Sequence, residues 1–194
     1  RTRNRPLATG AVSPFEALIL FAVLMTLSLG LVLTLNRETL VLAFAGGAIA
    51  VSYPLAKRFT YLPQVYLGLA FSWGIPMAFA AQDKAVGALA WSLVLANLLW
   101  TVAYDTMYAM ADRPDDLKVG IKSSAILFGR FDLAINAVLQ VLALVTLVLV
   151  GQYLGLNSWF YAGLAGAGAT TFYQNRLCAE RDRTQCLKAF LNNI

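Results

Sequence analysis

Six apolar stretches divide the chain almost completely, at residues 14–35, 39–56, 65–81, 85–111, 131–150 and 158–174. About 20 apolar residues in a helix cross the roughly 30 Å hydrocarbon layer of a membrane. Only helices and closed barrels satisfy their backbone polar groups there. The runs are too long and too continuously apolar for barrel strands. The expected fold is therefore all-α, a multi-pass transmembrane helical bundle with a single membrane-embedded domain over residues 1–194. Composition agrees: 13% of residues are charged and 59% hydrophobic, whereas soluble domains carry about 25% charge.

The basic residues then set an orientation. Counted loop by loop, Lys and Arg number 3, 1, 2, 1, 4, 0 and 4 along the chain. Alternate loops collect 13 of the 15. Under the positive-inside rule both ends, and the loops after the second and fourth spans, face the cytoplasm or its equivalent. The net charge of +5 is thus a topological signal. No basic and aromatic recognition pattern accompanies it, and no nucleic-acid partner is expected. The chain has no histidine, which excludes His-ligated metals and His-based triads. Cys178 and Cys186 form no CxxC pair and read as reduced thiols in a basic tail.

Residues 104–120, YDTMYAMADRPDDLKVG, hold four of the ten acidic residues and lie at the end of the fourth and longest run. Carboxylates in such surroundings are functional candidates by default. Asp105, Tyr108, Asp112 and Asp116 are spaced i, i+3, i+7 and i+11, which puts them on one helical face if the helix continues that far. Pro114 disfavours helical geometry at Arg113, so a helix end is expected there. Asp112 and Asp116 form a DxxxD pair. Magnesium takes one or two carboxylates together with substrate phosphates, so the pair suits a metal-bridged diphosphate. The alternative is an acidic loop paired with Arg113, Lys118 or Lys122. Tyr53 and Lys57 end the second span as YxxxK, followed by Arg58. With Arg5 they form a cationic set suited to a phosphate or carboxylate, or they serve orientation alone. Asn97 and Asn136 within spans read as interhelical hydrogen-bonding residues. Ala162, Gly166 and Thr170 give the small-xxx-small spacing of close helix packing.

Four stretches carry a resemblance: NRPLATG at 4–10, YPLAKRFTYLPQ at 53–64, YDTMYAMADRPDDLKVGIKSSAILFG at 104–129 and KAFLNN at 188–193. The chain resembles the UbiA-type intramembrane prenyltransferases, in particular those acting on 4-hydroxybenzoate in ubiquinone biosynthesis. The resemblance implies a ring of nine transmembrane helices, of which six are present. The first Asp-rich motif and the last helix are expected to lie outside the chain, leaving the fragment inactive by itself. It implies Mg2+ as cofactor, with Asp112 and Asp116 as metal ligands and Asp115 as a further candidate. Asp112, Asp116, Lys57 and Asp105 are the implied catalytic residues. Arg5, Tyr53, Arg58, Tyr108 and Lys118 are the implied substrate-binding residues. The implied substrates are polyprenyl diphosphate and 4-hydroxybenzoate, joined by electrophilic aromatic prenylation. The implied setting is a bacterial inner membrane or the mitochondrial inner membrane, with the site on the cytoplasmic or matrix side. No protein partner is inferable. Another acceptor (homogentisate, a naphthoate or haem) and a non-enzymatic transporter are the alternatives.

Overall fold

The computed structural model describes residues 5–193, apart from the side chain of Lys57. Among these residues all regular structure is helical: α1 (Pro6–Thr9), α2 (Pro14–Leu33), α3 (Arg37–Phe59), α4 (Pro63–Ser72), α5 (Gly74–Ala81), α6 (Ala88–Val119), α7 (Ser124–Phe128), α8 (Asp132–Tyr153), α9 (Ser158–Leu177) and α10 (Arg183–Leu191).

Local chemistry explains the starts. Ser13 accepts the Glu16 N–H at 3.2 Å while the Glu16 carboxylate accepts the Ser13 N–H at 2.8 Å, a capping box with Pro14 at the first helical position. Asn36 caps α3 by accepting the Thr39 N–H at 2.9 Å. Its amide also donates to Asp83 at 2.9 Å, tying the start of α3 to the turn after α5. Five segments are long and apolar enough to cross a membrane: Pro14–Leu33, Arg37–Ala56, Pro63–Ala81, Ala88–Val119 and Ser124–Tyr153. The sixth expected span, α9, has the length, with 20 residues, but its Gly, Thr, Gln, Asn and Arg content dilutes its apolarity.

The third run is not one straight helix. It breaks at Trp73 between α4 and α5, where Pro76 cannot donate to the Ser72 carbonyl one turn back. The Trp73 indole N–H donates instead across to the Leu42 carbonyl at 2.7 Å. The helix end expected near Arg113 is also corrected. α6 runs through Pro114 for 32 residues and stops at Gly120, whose left-handed φ of 70° closes it. Losing one N–H at Pro114 is outweighed by burial of the apolar Met110 and Ala111 beside it.

α6 is the axis of the bundle, packed chiefly against α8, α4 and α10. A core at its C-terminal end joins Met107, Met110 and Ala111 to Ala125, Cys178, Cys186 and Ala189. The two cysteines are thus fully buried core residues with free thiols, not thiols of a solvated tail. Their mutual hydrogen bond, and then burial, push the Cys178 thiol above its ordinary range. Asn97 donates to Ser72 Oγ at 3.0 Å, joining α6 to α4. The Asn136 amide is buried and finds no partner among the described residues. Ala162, Gly166 and Thr170 are exposed, and among the described residues no helix packs closely on that stripe. The inner face of α9 instead carries Thr171 and Gln174. α2 packs lightly on α3 and buries no residue.

Candidate active site

Helical geometry sets the acidic face. At about 100° per residue, Asp105, Tyr108, Asp112 and Asp116 fall within roughly an 80° arc of α6. All four line one cavity of about 410 Å3. α3 contributes Tyr53 and the N-terminal segment contributes Arg5. Six residues singled out from sequence therefore meet there. A larger cleft of about 580 Å3, bordered by Phe79, Lys84 and Tyr153, lies at the other end of α6 and carries no carboxylate.

The remaining candidates lie elsewhere. Arg58 and Lys118 are exposed and do not line the cavity. The Lys57 side chain lies outside the described residues. Asp115 is half exposed and accepts from Arg183 Nη2 at 2.6 Å. The same guanidinium lies 3.7 Å from Asp112 Oδ1. Asp115 is thus turned to the tail helix, away from the cavity.

Sequence reasoning gave no role to Gln64, Ser123 and Phe190, which with Ala109 complete the lining. Gln64 is buried at the start of α4, and its side-chain oxygen accepts the Ser124 N–H at 3.2 Å. That bond fixes the turn between α6 and α7 against the cavity. Phe190 sits on α10 with its ring edge-on to Tyr108 at 4.9 Å and tilted against Tyr104 at 5.8 Å. Its stretch, KAFLNN, was visible as a motif, but only the folding back of α10 brings it to the site.

A clasp behind the cavity holds α10 in place. Asp132 at the start of α8 is fully buried. It accepts from Arg181 Nη2 at 2.7 Å and from Arg113 Nη1 at 3.2 Å. Its hydrogen bonds raise the Arg181 guanidinium further above its already high range. Arg181 holds this position with a left-handed φ of 55°. Asp182, next along, caps α10 by accepting the Gln185 N–H at 2.9 Å. Its carboxyl is held below the usual range, first by the Thr184 hydroxyl and then by that N–H.

Among the described residues no three acidic or cysteine side chains gather closely enough to hold a metal unaided. The Asp112–Asp116 pair offers oxygen donors one helical turn apart in an open polar cavity. That fits magnesium, which takes one or two carboxylates and completes its shell with water and phosphate oxygens.

The UbiA prenyltransferase family model matches residues 1–194. A 4-hydroxybenzoate octaprenyltransferase of Aeromonas salmonicida is 58% identical over 193 residues, covering 100% of this chain and 67% of that protein. One of Chromohalobacter salexigens is 54% identical, with 65% of its length covered. The chain thus spans about two thirds of the length of these relatives. The apo structure of a UbiA homolog from Aeropyrum pernix superposes over the whole chain and 72% of its own, with a TM-score of 0.84 at 26% identity. A digeranylgeranylglyceryl phosphate synthase shares the fold, with a TM-score of 0.67 at 22% identity, 97% of this chain and 69% of that one being covered. With a family match along its full length and an axial helix that turns its acidic face into a polar cavity, the chain belongs to the UbiA prenyltransferase family.

Proposed function

We propose that the full-length protein transfers a polyprenyl group from polyprenyl diphosphate to the ring of 4-hydroxybenzoate, a step of ubiquinone biosynthesis. The observation that carries this reading is more than 50% identity across the chain to proteins named 4-hydroxybenzoate octaprenyltransferase. The relatives' name further suggests an octaprenyl donor. They are bacterial, which supports a bacterial inner membrane. The distribution of basic residues supports a cytoplasmic opening of the cavity.

Seven of the lining residues take roles in this reaction. Asp112 and Asp116 would hold magnesium, which when bound would supply positive charge to neutralise the diphosphate leaving group. Arg5 adds a guanidinium donor for a diphosphate oxygen. As the allylic C–O bond breaks, positive charge develops on the terminal isoprene unit. The aromatic rings of Tyr108 and Phe190 on the cavity wall favour that charge and shield it from water on that side. The ring carbon ortho to the phenol oxygen forms the new C–C bond. Asp105, about two turns deeper than Asp112 and about three deeper than Asp116, takes the proton that this carbon sheds. Tyr53 orients the acceptor from the facing helix.

Asp112→Ala and Asp116→Ala in the full-length protein abolish magnesium-dependent prenylation of 4-hydroxybenzoate while leaving membrane insertion intact. Turnover at the parent rate in both variants would overturn the assignment.

A further inference from the structure

Ser123 lies in the turn between α6 and α7 and is 1% exposed. It lines the cavity that holds the acidic face. Its hydroxyl is buried and finds no hydrogen-bond partner among the described residues. Position does not supply one. Ser123 occupies the N-cap of α7, yet its side chain makes no capping bond. Its neighbour behaves differently: Ser124 Oγ pairs with Thr106 Oγ1 at 2.8 Å, and its N–H is taken by Gln64. Of two adjacent serines, one is fully used in packing and the other is left over at the cavity wall.

Buried polar groups in folded proteins overwhelmingly have partners, and an orphan costs the full desolvation of the group. An orphaned hydroxyl beside a functional cavity marks a contact completed by a ligand. The Gln64 bond to Ser124 holds the adjoining backbone, so the hydroxyl is kept in place without a bond of its own. Resting on the function proposed above, we infer that Ser123 is a substrate-positioning residue whose hydroxyl donates to an anionic oxygen of a substrate bound in this cavity. Both substrates carry such an oxygen, one on the diphosphate and one on the benzoate carboxylate.

The test compares full-length parent, Ser123→Ala and Ser123→Thr in detergent micelles with magnesium. Two probes are titrated separately: a non-hydrolysable prenyl thiolodiphosphate and 4-hydroxybenzoate. Deleting a hydrogen bond to a charged acceptor weakens binding by roughly 10- to 100-fold. The expected result is a loss of that size in Ser123→Ala for one probe, with the other unchanged, and recovery in Ser123→Thr. The probe that loses affinity identifies the oxygen. Thermal stability without ligand is the second readout. Replacing an orphaned hydroxyl by a methyl leaves it unchanged or raises it, whereas a hydroxyl with a structural role would lower it. Equal affinity of parent and Ser123→Ala for both probes overturns the inference while leaving the proposed function intact. A parent that binds neither probe overturns both.

Discussion

The Asp132 clasp makes an asymmetric prediction. Arg181 approaches both carboxylate oxygens, with Nε at 3.1 Å from each and Nη2 at 2.7 Å from one. It also donates to the Arg130 carbonyl at 3.1 Å. Arg113 makes one contact with Asp132, at 3.2 Å, and a longer one at 3.4 Å to Gly129. Arg181→Ala therefore leaves a fully buried carboxylate with its weaker partner alone. Removing one partner of a buried pair costs about 3–5 kcal/mol. The Arg181 side chain is 40% exposed and is already partly solvated, so the lower end, about 3 kcal/mol, is expected. Arg113→Ala removes one longer bond to Asp132 and a weak one to Gly129, and costs about 1.5 kcal/mol. The left-handed backbone at Arg181 adds a control. Glycine relieves a strain of about 1 kcal/mol that alanine retains, so Arg181→Gly is less damaging than Arg181→Ala. The assay is hydrogen exchange of residues 183–191 in detergent micelles, since Arg181 anchors the entry to α10. Opening of this helix becomes about 100-fold easier in Arg181→Ala. Equal effects of Arg113→Ala and Arg181→Ala, or no change in either, would refute the clasp as the anchor of α10.

Two further perturbations test the packing and the site. Gly46→Ala brings a Cβ within 2.5 Å of the Trp73 ring, which is held by its bond to Leu42. The ring must move, at a cost of about 1–3 kcal/mol, read as reduced resistance to thermal unfolding. Gly47→Ala, inside α3 where no atom lies within 4 Å, leaves stability unchanged or raises it by up to about 1 kcal/mol. Arg5→Ala impairs prenyl transfer more than Arg58→Ala, because Arg5 lines the cavity and Arg58 does not. The kcat/KM for the prenyl diphosphate decides between them, and a greater loss in Arg58→Ala would place the cationic contact on α3 instead.

The parts of the site legible in sequence were those set by one helix. Asp105, Tyr108, Asp112 and Asp116 share a face because of helical periodicity, which a linear sequence displays. Ser13, Pro14 and Glu16 announced the start of α2 because a capping box is local. Tertiary packing decided what was misread. Pro114 signalled an end, yet burial around it carried α6 to Gly120. Pro76 acted four residues upstream, so the break fell at Trp73. Gln64, Ser123 and Phe190 arrive from three other parts of the chain. No spacing relates them to the acidic face until α4, α7 and α10 pack on α6. Cys178 and Cys186 looked like tail residues for the same reason: the fold of α10 back onto α6 is a long-range event.

The length of α6 resolves an apparent conflict in the site. At 1.5 Å per residue its 32 residues reach about 48 Å, well beyond the roughly 30 Å hydrocarbon layer. If the apolar N-terminal two thirds fill that layer, the last dozen residues stand in the headgroup zone, and these carry Asp112, Asp115 and Asp116. Only Asp105 is drawn towards the bilayer. A carboxylate pair at the bilayer centre would be costly, whereas at this depth it can hold a hydrated cation and a diphosphate. On the function proposed above, the isoprenoid tail would meet the opposite demand by running back along the apolar two thirds of the bundle. Such a helix, too long to be only a span, gives one element both a polar end for the leaving group and an apolar flank for the tail. The continuation of α6 through Pro114 is what makes this possible. A helix that ended at Arg113 would still carry Asp112 but would release Asp116 from the shared face.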